Sequence, residues 1–295
     1  MVLLTGATGT VGSALLPRLV ATGQEIRCLA RDPRRLGQQR VQVQIALGDL
    51  AAPGSFRHAL RGVETVIHLA ASIRDQSRAS IEELNAVATL RLVQAAERAG
   101  VRRFVFFSAI GASLHSRTRF FRSKALARQA VEGSTLETVV FSPSIVYAPG
   151  DPFLTLLERL SWLPAMPVSG AGRSLYQPIW AEDVADCVIA ALSDEDSGPK
   201  SYELVGPETL SHDAMVRTVL RAARRRRRLL HVPFPAVRLG LHALERIGGR
   251  SVFATWEEAE LMEVPMVSRR GTADVEALGV RPHSMGAVLG ARTGG

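Results

Sequence analysis

The sequence predicts an α/β protein, a doubly wound parallel sheet with a smaller, mostly helical C-terminal lobe. Three observations predict it. Six short apolar runs alternate with amphipathic stretches over residues 1–150, the rhythm of a parallel sheet covered by helices. A glycine-spaced turn joins the first run to the first amphipathic stretch. After Gly150 the alternation gives way to loops marked by Pro152, Pro164, Pro167, Gly170 and Gly172, and then to helix-like segments.

In chain order, the strands are expected at Met1–Leu4, Glu25–Ala30, Val41–Ala46, Thr65–Leu69, Arg103–Phe107 and Glu137–Phe141. Val11–Val20 reads as the first helix. Ile81–Arg98 places Leu84, Val87, Ala88, Leu92 and Ala95 on one face, with Gly100 to end it. Beyond Gly150, a short helix is expected at Phe153–Leu160, a strand at Leu175–Ile179 and a helix at Asp183–Leu192. Ser201–Val205 gives another short strand, followed by helices at Ser211–Ala223, Ala236–Arg246 and Thr255–Glu263. The domain reading is a nucleotide-binding unit over 1–150, to which 175–192 returns, and a smaller substrate or partner lobe over 151–295. No internal repeat is visible.

Of the 295 residues, 46% are hydrophobic, enough to bury a full core. The chain opens directly on an apolar run without a basic leader, and no apolar stretch approaches the roughly 18 residues of a membrane span. Cys28 and Cys187 are too few for a disulfide framework, so a cytoplasmic setting is expected. The net charge of +8 rests on 34 arginines and only two lysines, Lys124 and Lys200. No aromatic-interleaved basic patch or recognition motif accompanies that charge, so no nucleic-acid partner is expected.

The strongest motif is Thr5-Gly6-Ala7-Thr8-Gly9-Thr10-Val11-Gly12. Gly6 permits a tight turn, Gly9 lets the backbone approach a diphosphate, and Gly12 lets helix and strand come close. The helix that begins there offers unpaired amides and a positive dipole end to phosphates. A nicotinamide dinucleotide is therefore the expected ligand. NAD-selective sites place an acidic residue at the end of the second strand. Here Arg31 stands at that place, and a guanidinium fork suits a 2′-phosphate. NADP(H) is preferred, with NAD(H) open through Asp32; Arg34 and Arg35 read as solvated surface.

TGATGTVG, GDL at Gly48–Leu50, VIHLAA at Val66–Ala71, Asn85, the strand ending in Ser108 and SPSIVYAPGD at Ser142–Asp151 together resemble the short-chain dehydrogenase/reductase superfamily. The likeness is to its extended and atypical branches, NmrA-like proteins included. LYQPIWAEDVADCVIAAL at Leu175–Leu192 resembles the return from the substrate lobe to the sheet. The C-terminal third, with TWEEAELMEV and ADVEALGVRP, is similar to the branch containing the nucleotide-binding accessory subunit of respiratory complex I. The resemblance implies that Asp49 and Leu50 flank the adenine, although Asp49 also fits a plain turn. It further implies that Ala70 and Ala71 line the cofactor path, that Asn85 belongs to the site, and that Pro143 and Ser144 lie beside the nicotinamide. The arginine usual before that proline is Ser142 here.

Oxidoreductases of this superfamily use Tyr-x-x-x-Lys on one helix, where the ammonium lowers the phenol pKa and the phenol exchanges a proton with substrate. This chain carries Phe120-Phe121-Arg122-Ser123-Lys124, so Lys124 keeps its place while a phenyl ring replaces the phenol. A contact to the nicotinamide ribose, a general acid/base and an ordinary surface lysine all fit Lys124; Ser108 is the nearest match to the catalytic serine.

Arg224–Arg228 fits a solvated helix end. Together with the apolar-rich helix after Pro233, the stretch 224–247 also fits an anionic membrane surface or a membrane complex. Three functions stay open. The first is a nucleotide-binding protein with ordinary carbonyl reduction weak or absent. The second is a reductase of a quinone-like or carbonyl/enone substrate using Lys124. The third is a nucleotide-stabilised assembly or redox-sensing protein of a membrane complex.

Overall fold

The computed structural model describes residues 1–76, 79–194, 198, 200–240 and 256–291. From β1 (Val2–Thr5) the chain passes through α1 (Thr10–Ala21) to β2 (Ile26–Ala30) and β3 (Gln44–Leu47), then to β4 (Thr65–His68). A helical stretch ending in α2 (Ala88–Arg98) leads to β5 (Arg103–Phe107), and α3 (Arg119–Glu132) leads to β6 (Glu137–Pro143). Next come β7 (Val146–Tyr147), α4 (Pro152–Leu160), β8 (Ala165–Ser169), β9 (Leu175–Tyr176), β10 (Ile179–Trp180), α5 (Ala181–Ser193) and β11 (Lys200–Leu204). The remainder is β12 (Leu210–Ser211), α6 (His212–Ala222), β13 (Arg228–Val232), α7 (234–240), α8 (Trp256–Leu261), α9 (Ala273–Ala277) and α10 (Met285–Ala291).

Seven parallel strands form the main sheet in the order β11-β6-β5-β4-β1-β2-β3. The central strands are buried along their whole length because helices cover both faces, which is why they read as continuous apolar runs. Alternation divides them between two cores. Leu3, Val66, Phe104 and Phe106 face Phe56, Leu60 and Leu92 on one side. Leu4, Ile67, Val105 and Phe107 face Leu15 and Leu19 of α1 and Val184 and Val188 of α5 on the other. Each such side chain contributes about 1.5–3 kcal/mol by its burial. A third core, with Met166, Tyr176, Met215, Val219, Leu261 and Met266, holds the smaller lobe.

Four expectations change. The helix of Ile81–Arg98 contains a π turn at Glu83–Val87, whose extra residue rotates the later turns; the buried face continues through Thr89, Leu92, Val93 and Ala96 in place of Ala95. The expected strand Leu175–Ile179 is broken at Gln177-Pro178 into β9 and β10, which pair with different partners. The expected strand Ser201–Val205 joins the main sheet beside β6, so the return to the nucleotide-binding unit runs past residue 192. The arginine run is only partly a helix end, since Arg228 opens β13, which pairs in parallel with β8. Of the expected helix Ala236–Arg246, residues 241–246 lie outside the described residues, as does Thr255.

Candidate nucleotide-binding site

Strand order reverses at β1, which has β2 on one side and β4 on the other, and the crevice beyond the C-terminal ends of those strands is where ligands enter such sheets. The glycine loop occupies that crevice. Gly6 has φ +77°, and a Cβ there would meet the Ala70 amide nitrogen at 2.6 Å. At Gly12 a Cβ would meet the Gly6 carbonyl oxygen at 2.2 Å, so helix and loop touch backbone to backbone. Gly9 differs: its φ of −85° suits any residue, and a Cβ would meet only the Gly6 carbonyl oxygen, at 3.4 Å. The protein's own packing needs Gly6 and Gly12 as glycines but hardly needs Gly9. A group approaching from outside would need it.

Thr10, Val11 and Gly12 form the first turn of α1, with Gly9 at the N-cap. No side chain caps this terminus and no acidic residue stands in its first turn. By contrast, Thr118, Asp151 and Ser211 cap α3, α4 and α6 with their side chains. An uncapped N-terminus opening on a crevice has its amides available to an anion. The adjoining cleft has a volume of about 510 Å³ and is walled by Thr5–Gly9, Leu29–Asp32, Arg35, Gly48–Leu50, Leu69–Ser72, Gln76 and Leu84. Ala7, Thr8, Arg31, Asp49, Leu50, Ala70 and Ala71 therefore all face one space beside the glycine loop.

Beyond β2 the two candidate selectors part. The Arg31 guanidinium reaches Gln76 Oε1 at 2.8 Å and lines the cleft. Asp32 caps the turn that comes after it, accepting from the Arg34 amide at 3.1 Å and from the Arg34 guanidinium at 3.0 Å. Those bonds to Arg34 hold the Asp32 carboxyl below the usual carboxylate range. Arg34 thus turns back on Asp32, while Arg35 lines the cleft. Composition alone groups both arginines as surface. The signal that separates them is Asp-Pro, an N-cap followed by a proline at the first helical position, which ties the residue two after the cap to the carboxylate.

Behind the cleft wall lies a buried polar layer. Asn85 accepts from the Ser72 amide at 2.9 Å and donates to the Ser72 carbonyl at 2.8 Å and to Ser123 Oγ at 3.2 Å. It pins the loop after β4 to α3, and its amide is occupied in doing so. His68 lies between Thr5 Oγ1 at 2.7 Å and Thr89 Oγ1 at 2.9 Å. Burial and then the nearby Lys124 pull its pKa down to about 3, so it is neutral at ordinary pH. Neither His68 nor Ser72 stands out in the sequence; a histidine inside an apolar strand is the only signal.

Lys124 is only 3% exposed, which corrects the reading of an ordinary surface lysine. Its ammonium lies 4.6 Å from the centre of the Phe106 ring and makes no hydrogen bond or ion pair among the described residues. Burial lowers its pKa from 10.5 to about 7. Phe120, four residues earlier, is half-buried against Phe121 and the third core.

The ends of β5 and β6 carry the remaining candidates. Ser108 Oγ and Ser142 Oγ are buried without a hydrogen-bond partner among the described residues, as is the Tyr147 hydroxyl on β7. The Pro143 carbonyl accepts from the Ile110 amide. Ser144 donates to the Met266 carbonyl at 2.7 Å and accepts from the Gln177 amide at 3.2 Å, so the C-terminal segment engages its hydroxyl. None of these residues belongs to the cleft walls.

The sheet and the uncapped, glycine-lined loop define a dinucleotide-binding protein of Rossmann type. The chain belongs to the NAD(P)H-binding family, which matches it over residues 6–195. It is similar to the mitochondrial NADH dehydrogenase (ubiquinone) 1 alpha subcomplex subunit 9 of Mus musculus, at 25% identity over 94% of this chain and 75% of that protein. It is also similar to a ceramide reductase of Caulobacter vibrioides, at 26% identity over 80% of this chain and 75% of that protein. A solved nucleoside-diphosphate-sugar epimerase from Staphylococcus aureus shares the fold with a TM-score of 0.74 at 17% identity, over 98% of this chain and 99% of the other.

Proposed function

We propose that this protein holds NADP(H) in preference to NAD(H), and that ordinary carbonyl reduction on it is weak or absent. The observation that carries the reading is an intact diphosphate loop combined with Phe120 one helical turn before a buried Lys124. Gly6 through Gly12 grip the diphosphate with backbone amides. Asp49 and Leu50 flank the adenine, and Ala70 and Ala71 border the path toward Pro143 and Ser144. Arg31 and Arg35 meet the 2′-phosphate, while Asp32, engaged with Arg34, does not compete for a ribose hydroxyl. Lys124 anchors the nicotinamide ribose, and Asn85 acts through Ser72 by fixing the loop that Ala70 and Ala71 belong to. Once bound, the dinucleotide supplies hydride chemistry; a phenyl ring at residue 120 has no proton to exchange.

The test is purification without added nucleotide, identification of whatever is bound, and titration of NADPH against NADH. Carbonyl turnover that appears only in Phe120→Tyr supports the reading. Equal affinity for the two nucleotides, or robust turnover by the native chain that survives Lys124→Met, sinks it.

A second reading is favoured by the ammonium held near neutrality. A lysine of pKa about 7 suits proton delivery at neutral pH, which fits a reductase of a quinone-like or carbonyl/enone substrate. NADPH oxidation with such an acceptor, falling above pH 7 and abolished in Lys124→Met, distinguishes it. The likeness to a mitochondrial NADH dehydrogenase subunit favours a third reading, a nucleotide-stabilised subunit. That reading expects a large melting shift on NADPH binding without turnover, and co-purification with a larger assembly.

A further inference from the structure

The smaller lobe carries a basic and apolar surface that the nucleotide site does not use. Trp162 is 74% exposed, Leu163 45% and Leu230 56%. They belong to one surface. The Arg225 guanidinium stacks over the Trp162 ring at 3.4 Å and donates to Ser161 Oγ at 2.9 Å, while Arg227 donates to the Ser161 carbonyl at 3.1 Å. In the β8–β13 ladder Arg228 lies beside Ala165 and Leu230 beside Pro167, on the face opposite the buried Met166 and Val168. The arginine run and the Trp-Leu pair are thus held side by side by hydrogen bonds and strand register.

Four guanidinium groups on this surface stand apart from the acids. Elsewhere arginines meet acids: Arg18 pairs with Asp186, Arg119 with Asp75 and Glu82, and Arg102 and Arg103 with Glu137. Among the described residues, none of Arg225, Arg226, Arg227 and Arg228 has a carboxylate within 4.0 Å. Large apolar side chains beside unpaired guanidinium groups fit an interface whose outer layer is anionic and whose inner layer is hydrocarbon. Tryptophan sits at headgroup depth with its ring toward the chains, and arginine stems cover apolar surface while their heads meet phosphate.

We propose that the face formed by Trp162, Leu163, Arg225–Arg228 and Leu230 docks this protein on an anionic phospholipid surface. This goes beyond the nucleotide reading and does not depend on it. Among the described residues no helix is long and apolar enough to cross a membrane, so the contact is peripheral. Its centre is the Trp162–Arg225 pair, whose tryptophan lies outside the stretch 224–247 that the sequence singles out.

The experiment is co-sedimentation of the full chain with phosphatidylcholine vesicles, with and without phosphatidylserine, at low and high salt. The wild type partitions at least about tenfold better onto phosphatidylserine vesicles than onto neutral ones, and high salt removes the difference. Arg226→Glu/Arg228→Glu, neither of whose side chains makes a hydrogen bond among the described residues, weakens partition by about tenfold or more. Trp162→Ala weakens it by about tenfold, and both variants keep wild-type NADPH affinity, which shows that they are folded. Failure to sediment with phosphatidylserine vesicles, equal binding to neutral ones, or variants that bind vesicles like wild type each overturn the proposal. So does a dimer in sedimentation velocity that Trp162→Ala dissociates, because the face would then join two copies of the chain.

Discussion

The two ends of the site are built from different material. At the β1–β3 end the walls are backbone: a glycine loop, uncapped amides at the start of α1, and alanines after β4. At the β5–β6 end, outside the cleft walls, the proposed groups are side chains brought from far along the chain. Lys124 stands on α3, Ser108 follows β5, Ser142 lies one residue before the end of β6, and Ser144 is bonded to Met266, 122 residues away. The first end depends on conformations that only glycine permits, so it is repeated from protein to protein and selects a class of ligand. The second depends on side chains from separate elements, so on the function proposed above it can lack one member, a phenol at the place of Phe120, while the first end stays intact. On that reading binding and chemistry are separable because they draw on different parts of the fold.

The largest effect that sharpens this contrast is expected at Lys124. Its pKa is depressed from 10.5 to about 7 by burial. Between those values the unfolded chain binds a proton that the folded chain does not, so stability rises with pH across that window and the penalty is full below pH 7. Lowering that pKa from 10.5 to about 7 corresponds to an upper bound of roughly 5 kcal/mol. Lys124→Met is therefore expected to be several kcal/mol more stable than wild type at pH 6 in denaturant unfolding. That advantage shrinks toward pH 10. Nucleotide affinity moves the other way, lower in Lys124→Met, and in the wild type it declines as pH rises through 7. A stability gap that stays constant with pH would mean that Lys124 is solvated, and that the two ends are less different than their burial implies.

At the backbone end, Gly9→Ala is expected to leave the melting temperature within a degree or two, because its backbone is extended and its Cβ meets nothing closer than 3.4 Å. Affinity for NADPH should fall by about 100-fold, since the added methyl occupies the approach to the diphosphate. Gly12→Ala is the control: its Cβ meets the Gly6 carbonyl at 2.2 Å, so stability itself falls, by about 1–3 kcal/mol. Should Gly9→Ala bind NADPH like wild type, the diphosphate does not lie over this loop.

The same division explains what is legible in the sequence. Six of the seven main-sheet strands and the phosphate loop can be read directly, because alternation, burial on two faces and glycine spacing are local signals. The seventh, β11, is visible as a short strand at Ser201–Val205, but its place beside β6 depends on a crossover that no local pattern encodes. The π turn at Glu83–Val87 leaves no periodic trace, since it shifts the helical phase by one residue. In the site, Arg31 can be read from its position after β2. Arg35 is missed unless the Asp32 cap is recognised, and the engagement of Ser144 by Met266 cannot be seen at all. Local geometry is written in short spacings; convergence at a distance is not.

Arg31 tests the border between the two kinds of wall, a side chain at the backbone end. Arg31→Ala should lower NADPH affinity by about tenfold and leave NADH within about twofold, the loss expected for one charge-assisted pair to a phosphate. Arg35→Ala should show the same selectivity with a smaller loss, because Arg35 has no fixed partner comparable to Gln76 among the described residues. If both nucleotides weaken equally, Arg31 supports the loop through Gln76 and does not read the 2′-phosphate.

The smallest effect on binding is expected at Ser144, where resemblance and geometry disagree most. The resemblance puts this residue beside the nicotinamide, yet its hydroxyl is already used twice, by the Met266 carbonyl and the Gln177 amide. Ser144→Ala removes both bonds, and the Gln177 amide and Met266 carbonyl then keep only each other, so stability falls by about 1–2 kcal/mol. NADPH affinity should change by less than twofold, because the hydroxyl's one proton is already committed to Met266. A large loss of affinity at unchanged stability would show that nucleotide binding breaks the Ser144–Met266 bond. The C-terminal segment would then be a part of the chemical end that moves, and the rigid contrast between the two ends would have to be replaced by one between a fixed loop and a cover that opens.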